Sequence, residues 1–336
     1  MPHEEILYAV RDGVATVTLD RPDVYNAYTL RTLRELAVAF TDASFDDAVH
    51  AVVFTGAGDR AFCTGGDVKE YADVYTAQPH EYWKYMGSFR STIESILRCG
   101  KPVIARVNGV AAGGGNESQL ACDLTVMAEH AWLGQVGVGV GSVACGGATQ
   151  WLPLVVGDKR AREMLMLNTR IPARRALEWG LVNRVSPTVR KEDGFIENPT
   201  PDQIKQAQAK QNGYRIDLSR LDADVADLCN QIREKFPECM RYTKAQVNTL
   251  KAFTWDTTIP HAQDWLALHF ATREPLEGMR AFVEKRRADV GAIRRALADG
   301  KAPEFPWGAY RKSCPACNAA CLPEAFEYCG GCGKKL

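Results

Sequence analysis

The sequence predicts an α/β fold that passes into a helical region and ends in a small metal-binding tail. Three observations carry that prediction. Through residue 186, short apolar runs with strand character alternate with segments of helical periodicity, which is the pattern of a layered α/β protein. Residues 222–300 have helical spacing almost throughout. Five of the eleven cysteines crowd the last 23 residues, four of them in two Cys-x-x-Cys pairs.

Residues 6–20, ILYAVRDGVATVTLD, alternate around a DG turn and read as a β-hairpin. RPDVYNAY follows as a turn and helix entry, and TLRTLRELAVAFTDASFD has helical spacing. AVVFTGAG at 51–58 is a short buried strand closing in glycines, KPVIARVNGVA at 101–111 is another, and LTVMAEHAWLG at 124–134 is a third strand-like piece. Residues 159–186 read as helix, turn, helix, strand. Residues 187–220 are polar and poor in apolar side chains, as expected of a surface insertion. The helical region from 222 is expected to break near FTWDTTIP at 253–260, where proline removes a donor. The organisation expected is a main domain over 1–300, a linker over 301–313 and a tail over 314–336.

Composition narrows the function. Formal net charge is zero, which argues against nucleic acid or an anionic membrane as the main partner. No apolar run reaches the length of a membrane span, and MPHEEILYAV lacks the layout of a signal peptide, so a cytoplasmic protein is expected. In that setting Cys63, Cys99, Cys122, Cys145, Cys229 and Cys239 read as small buried hydrophobes.

The chemistry-bearing stretch is AAGGGNESQLACD at 111–123. An apolar strand, VIARV, runs through three glycines into a helical segment. Such a junction exposes backbone N–H groups at a helix N-terminus and lets a ligand approach them closely. A second junction of the same kind stands at RAFCTGGDVKE, 60–70. Two N–H groups aimed at one oxygen would make an oxyanion hole, with Glu117 beside it as acid or base. The plainer alternative is tight helix–strand packing, with Glu117 as a helix-start carboxylate. GVGSVA at 139–144 fits a loose dinucleotide fingerprint, but no strand–helix frame surrounds it.

Taken together, VATVTLDRPDVYNAY, AFCTGGDVKEY, KPVIARVNGVAAGGGNESQLACD, LGQVGVGVGSVACGGATQWLPLVVGDKRA and EGMRAFVEKR resemble the crotonase (enoyl-CoA hydratase/isomerase) family over roughly residues 6–290. The resemblance implies a spiral of ββα units with a helical C-terminal region, an acyl-CoA substrate with no catalytic cofactor, and trimers or hexamers. It implies that Gly66 and Gly114 hold the thioester oxygen. Arg21, Val24, Tyr25, Gly65 and Asp67 would line the path of coenzyme A, joined by Phe282 and Lys285. The hydratases of this family carry a second catalytic glutamate where this chain has Gly137, so a glutamate-pair hydration does not carry over.

Further pieces, among them PHEYWKYM, SILRCGKPVIARVNG, the insertion with DGFIENP, and LDADVADLCNQIREKFPECM, resemble a ring-opening subgroup, the 6-oxocyclohex-1-ene-1-carbonyl-CoA hydrolases, which also have glycine at that position. That subgroup adds water to a conjugated double bond and then cleaves the ring beside its ketone. Three features depart from it: Asp67 in place of asparagine, the EGMRAFVEKRR segment, and the cysteine tail. A hydratase or isomerase acting on another acyl-CoA, and a non-catalytic interaction protein, are the competing classes. Ser142, Asp67, His130 and Gln135 are candidates for the group that replaces the missing glutamate, with Ser142 first. Tyr25 and Tyr28 are candidate pocket walls or core aromatics.

Cys314, Cys317, Cys329 and Cys332 form two knuckles eleven residues apart, a spacing that suits a closed four-thiolate zinc site of structural character. The pattern resembles a short zinc ribbon, which could bind a protein partner. Cys321 is left over and is expected to pack.

Overall fold

The computed structural model describes residues 3–192, 194–300 and 305–336; residues 301–304 of the expected linker and Asp193 of the insertion lie outside them. The chain divides into two compact units. The first holds the residues up to Asp67 with Lys84–Val138 and Val143–Gln263, and the second holds Val68–Trp83, Gly139–Ser142 and Asp264–Leu336.

The first unit is built on β1 (Ile6–Arg11) and β2 (Val14–Leu19), joined by Asp12 and Gly13, both with positive φ. Two such residues give the turn whose twist matches a hairpin. Along β2, Ala15, Val17 and Leu19 are buried and alternate with half-buried neighbours, so one face meets the core helix α1 (Leu30–Phe45). The hydroxyl of Thr29 caps α1 by accepting from the Thr32 N–H. Strand β3 (Ala51–Gly56), AVVFTG, is buried at every residue, as a strand covered on both faces must be.

Each following turn gives one strand to each of two sheets. Strand β4 (Ala61–Cys63) leads through the short α2 (Val68–Glu70) to α3 (Pro79–Leu97). Then come β5 (Val103–Val107), β6 (Val110–Ala112) and α4 (Gly114–Ala121), followed by β7 (Leu124–Ala128) and β8 (Trp132–Gly134). The segment 124–134 is thus two strands and not one, because Glu129–Ala131 turn between the sheets. Helices α5 (Ala148–Val156) and α6 (Asp158–Leu167), strand β9 (Ile171–Pro172), α7 (Ala173–Glu178) and β10 (Arg184–Ser186) complete the core. The large sheet has the order β1-β2-β3-β5-β7-β10, parallel after the hairpin; the small one is β4-β6-β8-β9. Parallel neighbours need long crossovers, and the intervening strand-plus-helix segments supply them. This is the expected spiral of ββα units.

Asn108 ties the first two turns of the spiral. Its carbonyl accepts from the Gly56 N–H (3.1 Å), and its amide donates to Gly58 O (2.9 Å) and Ala61 O (3.0 Å), with the whole side chain buried. The polar insertion is itself folded. Strands β11 (Val189–Lys191), β12 (Gly194–Ile196) and β13 (Tyr214–Ile216) form a three-stranded antiparallel sheet with α8 (Pro201–Gln208) alongside. Buried Glu129 holds it by accepting from Asn198 N (3.0 Å) and Arg174 Nε (2.7 Å).

Helices α9 (Ser219–Arg233), α10 (Pro237–Val247) and α11 (Thr249–His269) follow. The expected break near residue 260 is absent: α11 runs through Pro260. Trp255, Ile259 and Ala262 bury one stripe of it, and the Trp255 indole donates to Glu94 (3.0 Å), while Pro260 lies on the exposed side. That anchoring outweighs the lost backbone bond. Among the described residues no helix is long and apolar enough to cross a membrane.

In the second unit, Tyr82 stacks on Phe270 (centroids 3.5 Å) and Tyr71 meets the same ring edge-on (5.8 Å). Helices α12 (Arg273–Val283) and α13 (Val290–Ala298) lead to the tail, with strands β14 (Tyr310–Lys312) and β15 (Leu322–Pro323). Cys63, Cys99, Cys122, Cys145 and Cys229 are buried as expected, whereas Cys239 and Cys321 are exposed. Cys239 lies on the solvent side of α10, and Cys321 sits at a bend with a left-handed φ of +57°.

Replacing Asn108 by alanine removes the partner it offers the Gly56 N–H and Gly58 O and one of the two donors to Ala61 O. It should cost about 3 kcal/mol, read as a lower urea midpoint at unchanged slope.

Candidate active site

The two glycine junctions meet in the first unit. Beyond β4, the chain turns through Gly65 (φ +90°) and Gly66. Tyr28 pairs with this loop as a parallel bridge: its N–H donates to Gly65 O (2.9 Å) and its carbonyl accepts from Asp67 N–H (2.9 Å). A bridge of that kind turns the N–H of the middle residue, Gly66, away from Tyr28. Beyond β6, Gly113 takes a left-handed φ of +54° and starts α4 at Gly114. As the first helical residue, Gly114 has no carbonyl one turn earlier to receive its N–H.

Close approach explains the three consecutive glycines. A Cβ on Gly114 would lie 1.7 Å from the Tyr28 hydroxyl, and one on Gly115 would lie 2.0 Å from Cys63 O. A Cβ on Gly65 would lie 3.0 Å from the Gly114 nitrogen, over the very N–H at issue. The two loops therefore touch through backbone, and a side chain at any of these positions would part them.

Glu117 stands one turn into α4 and is 5% exposed. Its Oε1 accepts from Gly146 N–H (2.7 Å) and, more weakly, from Ala148 N–H (3.4 Å), at the entry to α5. Burial pushes its pKa up to about 7, against the pull of those two donors. Phe89 of α3 closes this wall, since a Cβ on Gly146 would lie 2.0 Å from its ring. Phe89 also stacks on Tyr28 (centroids 5.6 Å, 17°). Burial, and then the Glu117 charge, push the neighbouring Cys145 thiol far up, so it is an inert packing group.

The remaining candidates fall in different places. Arg21 donates to Asp67 (3.1 Å) and to Ala27 O (2.5 Å), so it and Asp67 form one ion pair at the edge of the Gly66 loop. Val24 and Tyr25 are exposed nearby, with the Arg60 guanidinium 4.0 Å over the Tyr25 ring. Gly137 opens a single 3-10 turn after β8, and the chain leading to it runs beside the first glycine junction. Gly113 N–H donates to Gly134 O (3.0 Å), and the Gln135 amide approaches Gly113 O (3.3 Å). His130 is buried between Thr188 (2.7 Å) and Asp59 O (2.8 Å), and burial lowers its pKa, as for a packed histidine. Ser142, Phe282 and Lys285 belong to the second unit. Phe89 and Gly146 escaped the sequence analysis, and Tyr28 stands there only as a candidate pocket wall or core aromatic. The spacing of α3 marks Phe89 only as one more apolar helix residue.

In the tail, the Sγ atoms of Cys314, Cys317, Cys329 and Cys332 lie within 4.8 Å of one another, with Cys314–Cys332 and Cys317–Cys329 both at 3.6 Å. Tetrahedral zinc with bonds of about 2.3 Å needs sulfurs about 3.8 Å apart, so the donor set fits that ion. The two knuckles repeat one another. Asn318 N–H and Gly333 N–H close onto Cys314 O and Cys329 O, and both residues have positive φ. Backbone N–H groups of Cys317 and Cys332 lower the Cys314 and Cys329 thiols respectively.

The spiral, the paired glycine junctions and the buried glutamate define an enzyme of acyl-CoA thioesters. The chain belongs to the enoyl-CoA hydratase/isomerase family, whose sequence profile matches residues 9–199. It is 38% identical to a 6-oxocyclohex-1-ene-1-carbonyl-CoA hydrolase of Geobacter metallireducens, over 89% of this chain and 84% of that protein. It is 36% identical to the Thauera aromatica protein of the same name, over 87% and 82%. The crystal structure of an enoyl-CoA hydratase/isomerase from Xanthobacter autotrophicus Py2 superposes with a TM-score of 0.68 at 29% identity, over 88% of this chain and 97% of that one.

Glu117 gives the site a pH signature. Its folded pKa lies above its ordinary value of 4.5, so its contribution to stability is complete below pH 4.5 and is lost as pH rises through about 7. Relative to Glu117→Gln, the wild type should lose about 3 kcal/mol of unfolding free energy between pH 4 and pH 8, measured by urea titration at each pH.

Proposed function

We propose that the chain hydrates and then hydrolytically opens a cyclic oxo-enoyl-CoA of the 6-oxocyclohex-1-ene-1-carbonyl type, releasing a hydroxy-dicarboxylyl-CoA. The observation that carries this reading is the buried Glu117 beside the paired glycine junctions, in a chain with Gly137 where simple hydratases have a second glutamate. The names of its relatives point the same way.

In this reading the Gly66 and Gly114 N–H groups hold the thioester oxygen. Glu117 takes a proton from water as the water oxygen bonds to the β-carbon, and the electron pair of the double bond moves onto the thioester oxygen as an enolate. Return of the proton to the α-carbon completes hydration. A second water then adds to the ring ketone and gives a proton to Glu117. The bond between that carbon and the α-carbon breaks, its electron pair forms the thioester enolate again, and the former ketone carbon leaves as a carboxylic acid that ionises; Glu117 returns the proton to the α-carbon. A pKa near 7 lets Glu117 serve as base and acid in turn. Gly137 would leave room for the ring, and Ser142 would orient the second water.

Coenzyme A would run past Arg21, Val24, Tyr25, Gly65 and Asp67, with Phe282 and Lys285 at its far end. The Arg21–Asp67 pair supports this by stiffening the Gly66 loop. The active form would be a cytoplasmic trimer or hexamer. The four tail cysteines would hold a structural zinc ion, and the tail would offer a surface to a protein partner. An enoyl-CoA hydratase or isomerase acting on another acyl-CoA is the second reading, favoured by the intact Glu117 and both junctions.

Incubation with 6-oxocyclohex-1-ene-1-carbonyl-CoA and with crotonyl-CoA, followed by mass, should give a gain of two waters on the cyclic thioester alone. A gain of one water on either would establish the second reading. Glu117→Gln should lower turnover by about 10²–10⁴-fold at unchanged fold. The purified full chain should carry one zinc ion by elemental analysis, and Cys314→Ser should remove it while leaving the thermal transition of the main fold in place.

A further inference from the structure

Tyr28 connects every part of the candidate site. Its backbone forms the bridge that aims Gly66. Its ring stacks on Phe89, which in turn bears on the Gly146 amide that holds Glu117. Its hydroxyl fills the volume that a side chain on Gly114 would take. That hydroxyl thus stands against the Cα bonded to the Gly114 nitrogen, one of the two amides assigned to the thioester oxygen. Tyr28 is 4% exposed, so its oxygen is held in a largely dry wall, where a hydrogen bond is strong.

The proposed substrate presents two oxygens and not one. In 6-oxocyclohex-1-ene-1-carbonyl-CoA the thioester carbon and the ring ketone carbon are bonded to the same ring atom, so the two oxygens are 1,3-related. When one of them sits between Gly66 and Gly114, the other falls beside that pair. The negative charge formed by water addition spreads over both, and attack of the second water puts charge on the ring oxygen itself. Two backbone amides match one oxygen, and the second needs a donor of its own.

Resting on the ring-opening reading, we infer that the Tyr28 hydroxyl is that donor, a second oxyanion site specific for the ring oxo group. It donates its hydrogen bond to the ketone oxygen and keeps its own proton, while the water that adds there passes a proton to Glu117. The oxygen's charge then collapses into the new carboxylate as the ring C–C bond breaks and its electron pair passes to the thioester enolate, which takes a proton from Glu117. Hydration shares its charge between the two oxygens, so the Gly66 and Gly114 amides carry part of it, whereas ring opening puts charge on the ring oxygen alone and leans on Tyr28 more. Tyr28 is on this account what separates a ring-opening site from a hydratase site built on the same glycines.

The test compares the full-length wild type with Tyr28→Phe on the cyclic oxo-enoyl-CoA and on cyclohex-1-ene-1-carbonyl-CoA, the same ring without the oxo group, following one-water and two-water products by mass. The variant should slow ring opening by about 10²–10³-fold, so that the one-water product accumulates, and should slow hydration of the oxo-free ring by less than about 10-fold. Equal losses on both thioesters would reduce Tyr28 to a positioner of the Gly66 loop and overturn the inference, as would undiminished ring opening. If the wild type itself yields no two-water product, the ring-opening reading falls and takes this one with it; undiminished ring opening in the variant overturns Tyr28 alone. Should Tyr28→Phe fail to fold, the wild type decides by competition binding of the saturated ring thioester with and without its β-oxo group. The oxo form should bind at least about 10-fold tighter, and equal affinity refutes the second site.

Discussion

The structure turns on a contact between two stretches of backbone that leave no room for side chains. Gly65 and Gly114 come close enough that a Cβ on the first would sit 3.0 Å from the nitrogen of the second. Everything around them serves that approach. The small sheet carries β4 and β6 side by side in parallel, so both glycine loops leave it from the same edge. Asn26 and Asn108 both donate to Ala61 O (2.8 Å and 3.0 Å), which fixes the start of β4 and with it the loop that follows. Rigid support matters here because N–H groups stabilise a developing oxyanion only if they are aimed before the charge appears.

Burial of Glu117 is the electrostatic counterpart. A carboxylate in a dry wall resists ionisation, and two backbone amides return part of what burial takes away. The balance leaves the group near neutrality, able to give a proton or accept one. Cys145, close by and also buried, has no such donors to the same degree and stays protonated. The contrast shows that position in the fold, and not depth alone, selects which buried group does chemistry.

The tail follows a separate logic. Too small for a core of its own, it relies on two matching turns that bring four sulfurs to spacings a single tetrahedral ion can bridge. Its repeated hydrogen-bond pattern and its two left-handed residues, Asn318 and Gly333, are local consequences of each knuckle and need nothing from the main fold.

Much of this was legible in the sequence, because the signals are local. Alternation marked the hairpin, full burial marked β3, and paired glycine runs after strands marked the two junctions and Glu117. Cysteine spacing marked the tail. The errors came from long-range effects. Pro260 does not break α11, since Trp255 and Ile259 anchor the helix on its other side. Cys239 is exposed because its helix face meets no partner in the described chain. The contact of Asn198 in the polar insertion with the buried Glu129, some seventy residues earlier, likewise had no local signal. By itself the sequence determined which segments are strands and helices and which residue types are available for chemistry. Only the tertiary structure decided that the two glycine loops touch, that Phe89 and Gly146 hold Glu117, and that the hydroxyl of Tyr28 stands at Gly114. Those are contacts between side chains and backbone far apart in the chain, and no local periodicity encodes them.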